Sequence, residues 1–151
     1  MIKYVKGDAT KPLGEGQKII THCCNNIGAW GAGFVLALSR RWPHVEQAYR
    51  NLKSYDLGDV QFVRATPEIV VANIIGQEGI SDGGYRNPTP VRYGAIEQGL
   101  LVVAYYASNG ASLSSIHMPR MGCGLAGGRW EEVEPLLKRT LDRLSVIVYD
   151  F

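Results

Sequence analysis

Apolar residues along this chain fall into short β-branched runs, separated by longer segments in which they recur at helical spacing. The runs at 2–5, 18–24, 59–64, 69–75, 115–118 and 145–149 predict strands. Ile69-Val70-Val71-Ala72-Asn73-Ile74-Ile75 is nearly continuous in apolar character, as expected of a strand covered on both faces. Val45, Ala48, Tyr49 and Leu52 repeat at the spacing of one helix face, and so do Ile96, Leu100, Val103 and Ala107. The second of these helices has Thr89 available as its cap, Pro90 for its first turn and Asn109-Gly110 at its end. Another helix is predicted to begin near Phe34 and a last one near Trp130. The last carries Glu131, Glu132 and Glu134 early and Lys138, Arg139 and Arg143 late, an order that complements the helix dipole. Pro135 makes its first turn irregular, and Asp142 is placed inside it. Strands alternating with helices imply a largely parallel or mixed sheet with helices on both faces, the α/β class, and ligands in such folds gather at the carboxyl ends of the strands.

Length and composition narrow this without changing it. At 151 residues, with no repeat and no linker, the chain reads as a single domain spanning 1–151. Sixteen basic against fourteen acidic residues give +2, in no run of either sign, which argues against a membrane surface and against nucleic acid as an obligate partner. No apolar run is long enough to span a membrane, and residues 1–6 read as a strand rather than a secretion signal. Cys23, Cys24 and Cys123 are an odd number with two adjacent, which suits neither a disulfide framework nor a metal site and points to a reducing, cytoplasmic setting. A monomer is the simplest expectation for the oligomeric state. Glycine is the outlier: there are 18, most of them within 28–33, 76–84 and 122–128.

Two of these clusters share one context. Asn25-Asn26-Ile27-Gly28-Ala29-Trp30-Gly31-Ala32-Gly33 leaves the 18–24 strand and enters a helix. Arg120-Met121-Gly122-Cys123-Gly124-Leu125-Ala126-Gly127-Gly128 leaves the 115–118 strand and enters the last helix. A strand–glycine loop–helix junction lets backbone N–H groups converge on an anion, in the favourable field of the helix N-terminus. Two such loops suggest a diphosphate or phosphorylated sugar held from both sides, where one alone is also read as a tight turn. Residues 122–127 spell G-x-G-x-x-G, but late in the chain and without an acidic residue ending a following strand, so the dinucleotide-binding reading fails. No Gly-Lys-Ser or Gly-Lys-Thr occurs, which excludes a P-loop. The segment 77–90 is long enough to close over a ligand, with Asp82 and Tyr85 as candidate contributors.

In order and spacing, Tyr4-Val5-Lys6-Gly7-Asp8, His22-Cys23-Cys24-Asn25-Asn26 running into Gly31-Ala32-Gly33, and Met118-Pro119-Arg120-Met121-Gly122-Cys123-Gly124-Leu125 resemble the macro domain family. The segment from Asn25 to Tyr49 is similar to the yeast-type ADP-ribose 1''-phosphate phosphatases. Pro119 to Leu125 with Trp130-Glu131 is similar to the terminal ADP-ribose protein glycohydrolase. The resemblance implies a three-layer α/β/α fold around a mixed, largely parallel six-stranded sheet, with ADP-ribose or a phosphorylated or conjugated derivative as ligand; no cofactor is expected, and the residues offer no apparent metal ligand set. It implies that Asp8 accepts a hydrogen bond from the adenine amino group, beside the Ala9 backbone. Gly31, Ala32, Gly33 and Phe34 would line one side of the diphosphate and distal ribose, and Met121, Gly122, Cys123, Gly124 and Leu125 the other. Phe151 would reach the adenine.

The family's catalytic positions are only partly matched. One branch has an aspartate where this chain has Val35; the glycohydrolase branch has a lysine and an aspartate at the positions of Gly76 and Ala126. A lysine nucleophile cannot be replaced by glycine, so the covalent mechanism is not expected. His22 and Asn25 remain as candidate catalytic residues: His22 matches a histidine of the phosphatase branch and titrates near neutrality, and Asn25 would orient the distal ribose or a water. His22 reads equally as a hydrogen-bonded core histidine. Cys24 or Cys123 paired with His22 as a nucleophile is weaker than a structural reading of both cysteines, and neither His44 nor His117 is given a role. The expectation is a hydrolase that removes phosphate from ADP-ribose 1''-phosphate. The alternatives are a non-catalytic ADP-ribose reader, or removal of ADP-ribose from a modified protein or nucleic acid.

Overall fold

The computed structural model describes residues 1–80, 90–123 and 126–151. Six strands, β1 (Ile2–Lys6), β2 (Lys18–Asn25), β3 (Val60–Thr66), β4 (Ile69–Gln77), β5 (Ser115–Met118) and β6 (Val146–Asp150), form one sheet in the order β1-β6-β5-β2-β4-β3. All neighbours are parallel except β3 and β4, which pair antiparallel, so the sheet is mixed and largely parallel as expected. The helices are α1 (Phe34–Arg41), α2 (Pro43–Arg50), α3 (Tyr93–Ser108) and α4 (Trp130–Thr140).

Two apolar clusters show why the sheet is covered twice. Ile20, Cys24, Val71 and Ile75 pack against Leu38, Val45 and Tyr49 of α1 and α2. Ile19, Ala72, Ile74, Ile116 and Val148 pack against Ile96, Leu100 and Val103 of α3 and Val133 and Leu137 of α4. Alternate residues of β4 thus serve opposite faces, which explains its nearly unbroken apolar run. Each fully buried aliphatic side chain contributes about 1.5–3 kcal/mol. The edge strand β1 is exposed at Lys3, Tyr4 and Lys6, and its two lysines blunt it against further pairing.

Several local expectations shift. The chain from Pro90 to Arg92 does not belong to α3. Pro90 O accepts from Glu78 N, Val91 N donates to Ala126 O and Arg92 N donates to Gly76 O, so the segment is bound to β4 and the second loop before the helix begins at Tyr93. Thr89 lies outside the described residues. Leu52 follows the end of α2, and Asp142 lies beyond α4, where the chain turns back toward β6. Pro135 sits within α4 without ending it. Asn109 caps α3 as expected.

Candidate ligand-binding cleft

Strands β2 and β5 lie side by side and parallel, so the two glycine loops leave the same edge of the sheet as neighbours. Between them is a cleft of about 380 Å³. Its first wall is Ala32, Gly33, Phe34 and Val35; its second is Pro119 to Cys123 with Ala126; His22, Cys23 and Gln77 close the bottom.

The first wall is organised by Asn25. Its Oδ1 accepts from Ile27 N (3.1 Å), Ala29 N (3.0 Å) and the Tyr49 hydroxyl (2.9 Å), while its Nδ2 donates to Ala29 O at 2.7 Å. Asn25 therefore holds the loop in shape from within, using one of its two amide hydrogens. Gly33 caps α1 with φ 82, a conformation that disfavours any side chain, and hands the first N–H groups of α1 to the cleft wall. In the second wall, a Cβ on Gly128 would lie 2.1 Å from Gly122 O, so glycine is required where the loop folds onto itself.

Arg120 enters the cleft from the second loop. Its Nε and Nη2 bond the two Asp150 oxygens at 2.6 and 3.1 Å, and its guanidinium carbon lies 5.1 Å from the Tyr4 ring centre and 5.3 Å from that of Trp130. Trp130 Nε1 donates to the Tyr4 hydroxyl at 2.9 Å, and that hydroxyl bonds Glu134. Asp150 holds Arg120 above its ordinary range, and Arg120 in turn holds the Asp150 carboxyl below its own. The result is a guanidinium fixed by a bidentate carboxylate pair on a residue that lines the cleft.

His22 is buried at 2% exposure, with Nε2 2.5 Å from Asn73 Oδ1. Desolvation pushes it down to about 4, against the opposing pull of the Asn73 bond, so it is neutral at pH 7. The expectation of titration near neutrality does not hold, because burial in an apolar wall of Trp30 and Phe34 penalises the cation. Burial likewise pushes the Cys23 thiol up to about 12 and the Cys24 thiol well above its usual range. Neither is a thiolate nucleophile at neutral pH. The Cys123 thiol is raised for the same reason.

The cleft thus gathers His22, Ala32, Gly33, Phe34, Met121, Gly122 and Cys123. Gly31 is an exposed part of the first loop. Asp8 and Ala9 follow β1 two strands away from β5; Asp8 Oδ1 accepts from Thr10 N (2.8 Å) and Oγ1 (2.7 Å), while Ala9 is buried. Phe151 follows Asp150 and is fully exposed; Asp150 O accepts from Gly7 N at 2.8 Å, which sets both on the Asp8 edge. Gly124, Leu125, Asp82 and Tyr85 lie outside the described residues. Arg120 and Gln77 were not singled out by residue type, although Arg120 stood within the second motif. His44 bonds Arg64 O, and His117 is fully buried between Ser115 Oγ and the Tyr149 hydroxyl. Among the described residues, no group of three or more His, Cys, Asp or Glu is placed to hold a metal ion, and no helix is long and apolar enough to cross a membrane.

A larger cavity of about 680 Å³, lined by Lys18, Arg64, Tyr105 and Tyr106, lies at the opposite end of the sheet. Its lining takes in the 109–114 segment after α3 and neither of the two glycine clusters.

Helices on both faces of a mixed six-stranded sheet, with a cleft between two glycine loops at the carboxyl edge, define an α/β/α protein suited to an extended anionic ligand. No family model matches the chain. A macrodomain protein from Streptomyces coelicolor is 48% identical in sequence, and the match covers 100% of this chain and 99% of that one with a TM-score of 0.84. A protein of unknown function from Bacteroides thetaiotaomicron is 47% identical, with 100% and 98% covered and a TM-score of 0.93. An ADP-ribose 1''-phosphate phosphatase of Candida albicans is 27% identical over 99% of each chain. The chain belongs to the macro domain family.

Proposed function

We propose that the cleft binds ADP-ribose or a phosphorylated or conjugated derivative, and that the protein is a cytoplasmic hydrolase removing the phosphate of ADP-ribose 1''-phosphate. The observation that carries the reading is the pair of glycine loops at one sheet edge, with the N-terminus of α1 and Arg120 among the residues lining the space between them. The diphosphate and distal ribose would lie between Gly31–Phe34 and Met121–Leu125, and the adenine toward Asp8, Ala9 and Phe151. Likeness to the Candida phosphatase supports the choice of substrate.

In the reaction, water adds to phosphorus, the bond from phosphorus to the anomeric oxygen breaks, and that oxygen leaves with the electron pair and takes up a proton. A hemiacetal oxygen is less basic than an ordinary alkoxide, so a strong acid is not needed. Loop amides would stabilise charge on the phosphoryl oxygens. His22, uncharged at neutral pH, would orient the attacking water or a ribose hydroxyl; Asn25 would hold the loop that places the ribose. This is catalysis by positioning and by fixed dipoles.

A second reading, a reader without chemistry, is favoured by one observation. Gly76 lies within β4, and a Cβ there would approach Cys23 Sγ to 2.7 Å and Ile96 Cγ1 to 2.9 Å. The position has no room for the lysine that the glycohydrolase branch carries, and buried Ala126 supplies no carboxylate. One experiment separates the readings: purified protein is given ADP-ribose 1''-phosphate and, separately, an ADP-ribosylated protein and an ADP-ribosylated oligonucleotide. Release of inorganic phosphate from the first alone supports the phosphatase. ADP-ribose binding with no turnover of any leaves the reader, and release of ADP-ribose from either conjugate transfers the activity to that class.

A further inference from the structure

Beneath the cleft, a line of hydrogen bonds crosses the sheet from α2 to β2. Gln61 Nε2 donates to Ala48 O at 3.0 Å, Asn73 Nδ2 donates to Gln61 Oε1 at 3.0 Å, and Asn73 Oδ1 lies 2.5 Å from His22 Nε2. Register alone puts the last pair together, since His22 and Asn73 are direct partners on β2 and β4. Each link has a single permitted polarity. A backbone carbonyl only accepts, so Gln61 gives Ala48 its amide nitrogen and turns its oxygen to Asn73. Asn73 must answer with its nitrogen, which turns its own oxygen to His22, and His22 Nε2 must therefore carry the hydrogen. A neutral imidazole has one N–H, so the lone pair belongs to Nδ1.

We propose that Asn73, oriented through Gln61 by the Ala48 carbonyl, is a positioning residue that locks His22 in its Nε2–H tautomer, making His22 a dedicated hydrogen-bond acceptor for a hydroxyl or water in the cleft. The acceptor role rests on the cleft being the ligand site; the tautomer does not. Nε2 is engaged beside β4, and Nδ1 has only a long thiol contact from Cys24 Sγ at 3.9 Å among the described residues, so Nδ1 offers its lone pair to whatever enters the cleft that His22 lines. A lone pair fixed there matches a ribose hydroxyl or a water and repels an unprotonated phosphate oxygen. The ligand's sugar, or the water that attacks beside it, therefore meets His22, and the charged groups face the loop amides and Arg120. Second-strand partners that fix a histidine's tautomer in this way decide its function as much as its own position does. Among the described residues, Cys24 is the titratable group touching the ring, with Sγ 3.7 Å from Nε2 and 3.9 Å from Nδ1; burial keeps its thiol neutral, and a ligand hydroxyl at hydrogen-bond distance would outcompete so long a thiol contact. Trp30 and Phe34 supply the apolar remainder of the wall.

The test is two-bond ¹H–¹⁵N NMR of the full chain carrying ¹⁵N-histidine, from pH 5 to 8, with and without ADP-ribose. The wild type should show His22 as Nε2–H throughout. Gln61→Leu removes the group that orients Asn73 from a half-buried edge position and should yield a mixture of tautomers. Asn73→Asp keeps the acceptor and adds charge, and should raise the imidazole titration by at least about one unit. ADP-ribose should shift Nδ1 more than Nε2. An Nδ1–H tautomer in the wild type, or an unchanged tautomer in folded Gln61→Leu, would overturn the positioning role. ADP-ribose that binds without moving Nδ1 would overturn the acceptor role. No ADP-ribose binding by calorimetry, with the Nε2–H tautomer present, would instead reject the ligand reading of the cleft and leave the tautomer lock standing.

Discussion

Acidification from pH 7 to 5 should destabilise this protein through two histidines that are far apart in function but alike in setting. His22 and His117 are both buried, and desolvation pushes each down to about 4; Lys18 adds to the effect at His117. In the unfolded chain a histidine takes up its proton near pH 6.5. A group with a depressed folded value is neutral in the native state while the unfolded state binds the proton. Its stabilising contribution is thus complete above about pH 6.5 and is lost progressively down to about pH 4, where the folded ring also protonates. Between pH 7 and 5 each ring should cost about 2 kcal/mol, or about 4 kcal/mol for the pair, a large share of ordinary domain stability. The Asp150 and Glu134 carboxylates contribute little in this window, because both are held below their usual values and change state at lower pH. Urea denaturation at both pH values, on wild type and on His117→Gln, measures the effect. The variant should show about half the wild-type loss. An equal loss in both would refute burial of a neutral ring at 117 as the cause.

Gly128→Ala should lower stability by about 2–3 kcal/mol in thermal or chemical denaturation, because its Cβ would collide with the Gly122 carbonyl rather than with a movable side chain. Asn25→Ala removes the contacts that shape the first loop and its tie to Tyr49; a loss of about 2 kcal/mol in urea denaturation, together with weaker ADP-ribose binding, is expected. Arg120→Lys should change stability by less than about 1 kcal/mol, since the Asp150 pair is half exposed. The same change should weaken ADP-ribose about tenfold by calorimetry, through loss of a restrained guanidinium.

Strands β2 and β4 were legible because their apolar runs meet helices on both faces, a constraint local enough to read from composition. The start of α3 was not, because Pro90 resembles a first-turn residue until Val91 and Arg92 are seen bonded to Ala126 and Gly76, residues far away in sequence. The same division holds in the cleft. Its loops announced themselves through glycine, and their proximity followed from parallel strands. His22 was recognisable as a residue of interest, but its charge state depends on Trp30, Phe34 and Asn73 closing around it, and Asn73 reads in sequence as an interruption of an apolar strand. Its partner Gln61 carries no signal at all outside the β3–β4 register. Arg120 stood in a recognised motif, yet its restraint comes from Tyr4 and Asp150, which the β1-β6-β5 strand order brings beside it, and from Trp130 at the start of α4.

The central claim is that the two glycine loops form one ADP-ribose site. Isothermal calorimetry with ADP-ribose, on wild type and on Gly33→Val, which blocks the positive-φ turn into α1, tests it most directly. Saturable one-to-one binding by the wild type, lost in a folded Gly33→Val protein, is the expected result. Absence of heat with the wild type, or equal affinity in the variant, would contradict it.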